Sequence, residues 1–229
     1  MQISWWQRWW SRIADVPVVR ASSPFNEELT VVIRNGRFQL CTANAIYSYG
    51  DLYDNFSQTF AQLDWELLEG TEVLLLGLGL GSIPYMLERK FDKRFHYTAV
   101  EIDPVIVQLA ETYVLPDLES KVLVYQADAE IYAATCMETF DLICMDVFQD
   151  DQVPERFESA AFLLQLKKCL SASGVLLFNR LATTLADRSR SLEYFEKVFL
   201  EVFPKGIRLD TGGNYVLISD GSALKKKSV

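Results

Sequence analysis

Apolar residues along this chain follow two rhythms. Through the middle of the sequence, Glu72 to Leu76 (EVLLL), Tyr97 to Ile102 (YTAVEI), Val122 to Tyr125 (VLVY), Phe140 to Met145 (FDLICM) and Gly174 to Phe178 (GVLLF) form short, nearly continuous apolar runs, each followed by a segment with helical spacing. A strand without a polar face is buried on both sides, and strands alternating with helices all run the same way. The pattern therefore predicts a parallel sheet covered by helices on both faces. Upstream, Phe56, Phe60, Leu63, Leu67 and Leu68 recur at helical spacing and predict a helix from about Asn55 to Leu68 with one buried face.

Both ends of the chain break this alternation. Val16 to about Tyr49 reads as strands, VPVVR and then LTVVIRNGRFQLCT, with Asn35-Gly36 supplying a hairpin turn. Toward the C-terminus, Ser191 to about Leu200 is helical. It precedes two strands joined by a turn at Thr211-Gly212-Gly213-Asn214, so one edge strand of the sheet is expected to be antiparallel. The expected fold is α/β: a Rossmann-like, seven-stranded, mostly parallel sheet with a small N-terminal antiparallel β element. Five parallel strands closed by a hairpin resemble the class I methyltransferase sheet more than the all-parallel dinucleotide-binding one. The division falls into an N-terminal segment, 1–54, and a Rossmann domain, 55–229.

Composition narrows the partners. A chain of 229 residues that is 50% hydrophobic can bury one substantial core. Its 22 Lys and Arg against 31 Asp and Glu, a net charge of −9, argue against nucleic acid, which needs a basic face. Small molecules or cationic substrates fit better. Cys41, Cys136, Cys144 and Cys169 form no CxxC pair, which reads as reduced, intracellular usage. The N-terminal stretch MQISWWQRWWSRIADVP is interrupted by Arg8 and Arg12, so neither a secretory signal nor a membrane span is expected, and the cytoplasm is the default. Trp5, Trp6, Trp9 and Trp10 make an i, i+4 double stripe. It is read as docking on the domain or on a partner subunit, as in a homodimer, in preference to an interfacial membrane anchor. His96, the one histidine, opens the second sheet strand away from the ligand edge and reads as structural, against a His-dependent hydrolase and a His-rich metal site; no metal is expected.

The candidate chemistry gathers at strand ends. Gly77-Leu-Gly79-Leu-Gly81-Ser82 falls where the first strand of the parallel set turns into its helix, where glycines let the backbone approach a ligand closely. A dinucleotide fingerprint calls for Gly or Ala where Ser82 stands, which lowers an NAD reading. The next strand ends in Glu101-Ile-Asp103-Pro104. Glu101 is placed to grip a ribose diol, and Asp103-Pro104 reads as a helix N-cap and first turn. Asp128, in Gln126-Ala-Asp128-Ala129, is placed to accept a hydrogen bond from an adenine amine, or to cap the helix beginning near Ala129. Asp146, at the end of the fourth strand, faces the same crevice. A tight turn without a ligand stays open as the alternative for the glycine loop.

On these residues, from about Arg20 onward, the chain resembles the spermidine synthase family of polyamine aminopropyltransferases. The likeness runs through Ala45-Ile-Tyr47-Ser48-Tyr49-Gly-Asp51-Leu-Tyr53, the glycine loop, the EIDP and QADA stretches and the acidic loop after Asp146. The resemblance implies S-adenosylmethionine or its decarboxylated form as cofactor, held by Gly77, Gly79, Gly81, Glu101 and Asp128. It implies methyl or aminopropyl transfer to a small-molecule acceptor, such as an amine, with Asp146 as the catalytic base and Tyr53, Gln149 and Asp150 on the substrate side. The chain departs from the family at three places: Leu80 stands where the synthases carry an Asp in the glycine loop, Gln149 replaces the second acid of an Asp-x-x-Asp pattern, and Tyr53-Asp54-Asn55 stands for Tyr-His-Glu. A non-catalytic nucleoside-binding or assembly module that has lost its polyamine acids is therefore the alternative.

Overall fold

A computed structural model describes residues 3–42, 45–148 and 153–226. The chain opens with helix α1 (Trp5–Trp10) and a four-stranded antiparallel sheet in sequential order, β1 (Val16–Ala21), β2 (Leu29–Arg34), β3 (Arg37–Cys41) and β4 (Ile46–Ser48). Asn35 and Gly36 take positive φ, 49° and 72°, as a tight β2–β3 turn requires. Helix α2 (Asp54–Gln62) leads into the second sheet. It is built from β5 (Glu72–Leu76), β6 (His96–Glu101), β7 (Lys121–Gln126), β8 (Phe140–Met145), β9 (Leu170–Leu181), β10 (Ile207–Asp210) and β11 (Asn214–Ile218). The main connecting helices are α3 (Ser82–Arg89), α4 (Pro104–Tyr113), α5 (Ala129–Thr135), α6 (Ala160–Lys168) and α7 (Leu185–Tyr194), with the short α8 (Leu200–Val202) after α7.

Strand order is β10-β11-β9-β8-β5-β6-β7. From β5 the chain builds outward to β6 and β7, then returns to place β8 on the other side of β5, and all of these pairs are parallel. The reversal leaves a crevice above the carboxyl ends of β5 and β8, where open α/β sheets bind ligands. The apolar runs have the expected consequence. Leu74, Leu76, Ile143 and Met145 pack on one face with α5 and α6. Val73, Leu75, Leu142 and Cys144 pack on the other with α2 and α3.

Three expectations need correction in detail. The antiparallel strand is not at the edge: β11 lies between β9 and β10 and pairs antiparallel with both. The edge strand β10 therefore runs with the parallel set. Burial explains the choice, since Tyr215 to Ile218 of β11 are buried whereas all of β10 is partly or fully exposed. The α2 helix ends at Gln62 and not near Leu68, because Leu63 turns extended and bridges Leu224, and Asp64 N donates to the Ala223 carbonyl. The late helix starts earlier than Ser191, at a Thr184/Asp187 capping box, and passes through a π-turn over Phe195–Phe199.

The N-terminal sheet packs Leu29, Val31, Ile33 and Leu40 against Ile106 and Leu109 of α4, together with Leu80 and Val114. The α1 tryptophans do not dock on the domain. Trp5, Trp6, Trp9 and Trp10 are 49–82% exposed, and α1 is held instead through Ser11, whose carbonyl and hydroxyl accept from Asn35 N and Gly36 N, each at 2.8 Å. His96 starts β6, and its ring meets the Glu72 carboxylate at 2.9 Å, far from the crevice end of the sheet. Cys144 and Cys169 are buried, as their apolar settings indicate. Among the described residues, no helix is long and apolar enough to cross a membrane.

Candidate functional site

The carboxyl ends of five successive parallel strands, β5 to β9, open into one cavity of about 1010 Å³, lined by Gly77 and Gly79, Glu101, Asp128, Asp146, and Leu181 and Thr183. Asn26 and Tyr47 of the N-terminal part, Tyr53 and Asp54 at the start of α2, and the β10–β11 turn at Thr211 to Asn214 close its other walls. A cavity of this size accommodates a nucleoside-sized ligand with a small acceptor beside it.

Gly77 is required where it stands. Its φ is +88°, and a Cβ built there would lie 2.4 Å from the carbonyl oxygen of Asp146. The β5 and β8 tips thus approach more closely than any side chain allows. Leu78 and Leu80, between the loop glycines, turn inward: Leu78 enters the core beneath α3, and Leu80 is 1% exposed among the residues that join the N-terminal sheet to α4. The position where the resembled synthases carry an Asp is here a packing residue that does not line the cavity.

Glu101 is organised by the loop it faces. Its Oε2 accepts from Leu78 N and its Oε1 from Asp103 N, both at 3.1 Å. The Gly79 amide is a third backbone donor to this carboxylate, whose roughly four acceptor sites leave capacity for a ligand hydroxyl. Burial raises its pKa above the usual carboxylate range against the lowering effect of these amides. Asp103 is itself the N-cap of α4, accepting from Val105 N at 2.9 Å. Its other oxygen accepts from Ser23 and Asn26, pinning the β1–β2 connection to the Rossmann sheet. Asp128 takes both of its anticipated positions: its Oδ1 caps α5 by accepting from Glu130 N at 2.8 Å, and it lines the cavity. Its Oδ2 is paired with Arg156 at 2.6 Å, a contact the sequence did not suggest.

Asp146 sits at the cavity floor, reachable from the cavity yet ringed by protein. Asn179 Nδ2, from β9, donates to its Oδ1 at 2.8 Å, and the Tyr53 hydroxyl donates to the same oxygen at a long 3.4 Å. Asn214 Nδ2, from β11, donates to the side-chain Oδ1 of Asn179 at 3.0 Å. Burial pushes Asp146 up to about 6; the two donors oppose that rise, and the nearby negative charge of Glu101 adds to it. Burial and the Asp146 charge hold the Tyr53 phenol well above its ordinary value, so it remains a donor. Asn179 and Asn214 were missed in the sequence, although Asn179 ends the apolar run GVLLFN as Asp146 ends FDLICMD. Of the expected substrate-side residues, Tyr53 lines the cavity, and Gln149 and Asp150 lie outside the described residues.

The lining is strongly anionic. Asp54, Glu101, Asp103, Asp128, Asp146 and Asp187 face Arg156, the one Lys or Arg among its described residues. Such a site selects cations.

No family model matches the chain. Over 148 residues it is 33% identical to a polyamine aminopropyltransferase of Vibrio vulnificus, a match covering 63% of this chain and 49% of that protein. It is 29% identical over 145 residues to the eEF1A lysine and N-terminal methyltransferase of Danio rerio, covering 59% of this chain and 21% of that protein. Human methyltransferase-like protein 13, solved in complex with SAH, superimposes with a TM-score of 0.56 at 26% identity over 70% of this chain and 78% of that one. The chain has the class I methyltransferase fold. Spermidine synthase from Thermotoga maritima shares that fold at a TM-score of 0.64 and 13% identity, over 89% of this chain and 72% of that one. The curated relatives are thus of two kinds, aminopropyltransferase and methyltransferase. The chain spans about half the length of the first of these curated relatives and about a fifth of the second.

Proposed function

We infer that this protein binds an adenosyl-sulfonium ligand, S-adenosylmethionine or its decarboxylated form, and transfers a methyl or aminopropyl group to a small-molecule amine. The observation that carries this reading is Asp146: a carboxylate with its pKa raised to about 6, fixed by Asn179 and Tyr53 at the floor of an anionic cavity, directly against the glycine loop.

The residues present fit such a ligand. Gly77 lines the cavity, and its lack of a side chain lets the loop pass against the Asp146 carbonyl at the cavity's edge. Glu101 keeps acceptor capacity for a ribose hydroxyl, and Asp128 stands at the tip of β7, three strands along the sheet from β8, which carries Asp146. When bound, the ligand supplies a carbon activated by a positively charged sulfur. The chain's own residues do the rest. Asp146, ionised above about pH 6, orients the attacking amine and accepts its proton, while Tyr53 and Asn179 hold the carboxylate in one rotamer. The anionic walls favour both a sulfonium and an ammonium approaching from solvent. Positioning supplies most of the rate.

Thermal shift with S-adenosylmethionine, its decarboxylated form, methylthioadenosine and NAD tests the reading. Stabilisation by a sulfonium or thioether nucleoside supports it, and a shift with NAD alone, or with none, overturns it. Preference between the two sulfonium ligands decides which group is transferred, since they differ in the methionyl carboxylate. A homodimer and a cytoplasmic setting belong to the same proposal, supported by the unpartnered tryptophan face of α1 and by four free cysteines. Sedimentation velocity checks the first.

A further inference from the structure

Arg156 has no part in the chemistry described so far, yet it stands on the wall of the base subsite. It follows the loop after β8, in a short 3-10 turn over Glu155–Glu158, and its Nη1 meets Asp128 Oδ2 at 2.6 Å. The guanidinium lies 4.7 Å from the ring centroid of Phe157, which is fully buried, so the cation is held from beneath as well as from the side. Its side chain is nevertheless 45% exposed, and the cavity reaches it.

An arginine carries five N–H donors in a planar fork, and the pairing with Asp128 uses only part of that fork. Asp128 in turn has acceptor sites left after capping α5 and meeting Arg156. Among the described residues, an acceptor of Asp128 and a charged donor of Arg156 thus lie side by side without a further partner in one small patch of cavity wall. That arrangement is complementary to the edge of a base that presents an exocyclic amine next to an unprotonated ring nitrogen. Adenine has such an edge on both sides of its amine, at N1 and at N7. A 6-oxo purine has an acceptor where Asp128 needs a donor.

We propose that Arg156 is a base-specificity residue: it donates to the ring nitrogen beside the amine that Asp128 accepts, and the pair reads the base jointly. This rests on the nucleoside-binding reading above. Arg156 need not leave Asp128 for the ligand to bind, because the pair is satisfied through one oxygen and one nitrogen and each partner has capacity to spare.

The test uses methylthioadenosine, which has the base and thioether of both sulfonium ligands and no carboxylate, with its 1-deaza and 7-deaza analogues. Each is titrated calorimetrically into the wild-type chain and into Arg156→Met, which keeps an apolar stem on Phe157. In the wild type one deaza analogue is expected to bind about tenfold more weakly than the parent, the loss typical of a charge-assisted hydrogen bond. In Arg156→Met the parent falls to the level of that analogue and the difference disappears. Equal binding of all three by the wild type overturns the proposal. So does a deaza penalty that persists in the variant, which assigns the contact to the backbone, or tighter parent binding by the variant, which makes Arg156 a competitor for Asp128. If the wild type binds none of the three, the nucleoside reading itself falls and takes this inference with it.

Discussion

Asn179 Nδ2 lies 2.8 Å from Oδ1 of Asp146, so the carboxylate at the tip of β8 is held by an amide from the neighbouring strand β9. The amide is in turn held by Asn214 from β11. Three adjacent strands therefore orient one oxygen. Asn179 stabilises the ionised form and draws the pKa down toward neutrality-compatible base chemistry, against a burial effect that raises it to about 6. Asn179→Leu should remove that donor and move the acidic limb of the kcat/KM profile upward by roughly one pH unit. An unmoved limb would show that Asn179 does not set the carboxylate.

Asp146→Asn should separate catalysis from stability. Turnover should fall by about 10²- to 10⁴-fold while ligand affinity stays near wild type, since the amide preserves shape but accepts no proton. The folded-state pKa is raised from 3.8 to about 6, so this group's contribution to stability is fully present below about pH 4 and is lost as pH rises through 6. At pH 8 the wild type bears a buried charge that costs on the order of 3 kcal/mol, and the asparagine variant should melt higher there. Below about pH 4 the two melting temperatures should converge. A gap independent of pH would contradict the assignment of the shift to Asp146.

Gly77→Ala should be harmful beyond its size. The new Cβ would meet the Asp146 carbonyl at 2.4 Å in a backbone region with φ +88°, so the β5 loop or the β8 tip must move. We expect a loss of about 1–3 kcal/mol by chemical denaturation, together with loss of nucleoside binding at ligand concentrations that saturate the wild type. Normal binding by a stably folded alanine variant would show that the loop can widen without disturbing the site.

Leu80→Asp restores the residue type found in the resembled synthases, and the structure argues that it will not restore their contact. Leu80 is 1% exposed and packs with Ile106, Leu109 and Val114. An aspartate there buries an unpaired carboxyl where the N-terminal sheet meets α4. The variant should lose about 3 kcal/mol or more at neutral pH, with partial recovery under acidic conditions where the group is neutral. Gain of aminopropyl transfer without loss of stability would show that the loop can turn this side chain into the cavity.

How far the sequence reached depends on which interactions are local. Glu101, Asp128 and Asp146 were legible because each polar residue ends a continuous apolar run, and in a parallel sheet the run's end is the ligand edge. The dual place of Asp128, cap and cavity wall, was likewise readable from Asp128-Ala129 at a helix start. The helix limit at Gln62 was not, because it depends on Leu63 finding Leu224 more than 150 residues away. The tryptophan stripe was visible as a pattern, but its outward orientation is set by Ser11 seizing the Asn35-Gly36 turn.

By itself, the order of apolar runs and helical segments determined an α/β sheet of this class, with the acids at its carboxyl edge, because burial and strand direction follow from periodicity along the chain. Tertiary structure alone decided that β11 enters between β9 and β10, that Leu80 faces a packed interface, and that Asn179 and Arg156 meet Asp146 and Asp128. Those outcomes turn on strand register and on left-handed glycine geometry, which bring together side chains that no local pattern relates.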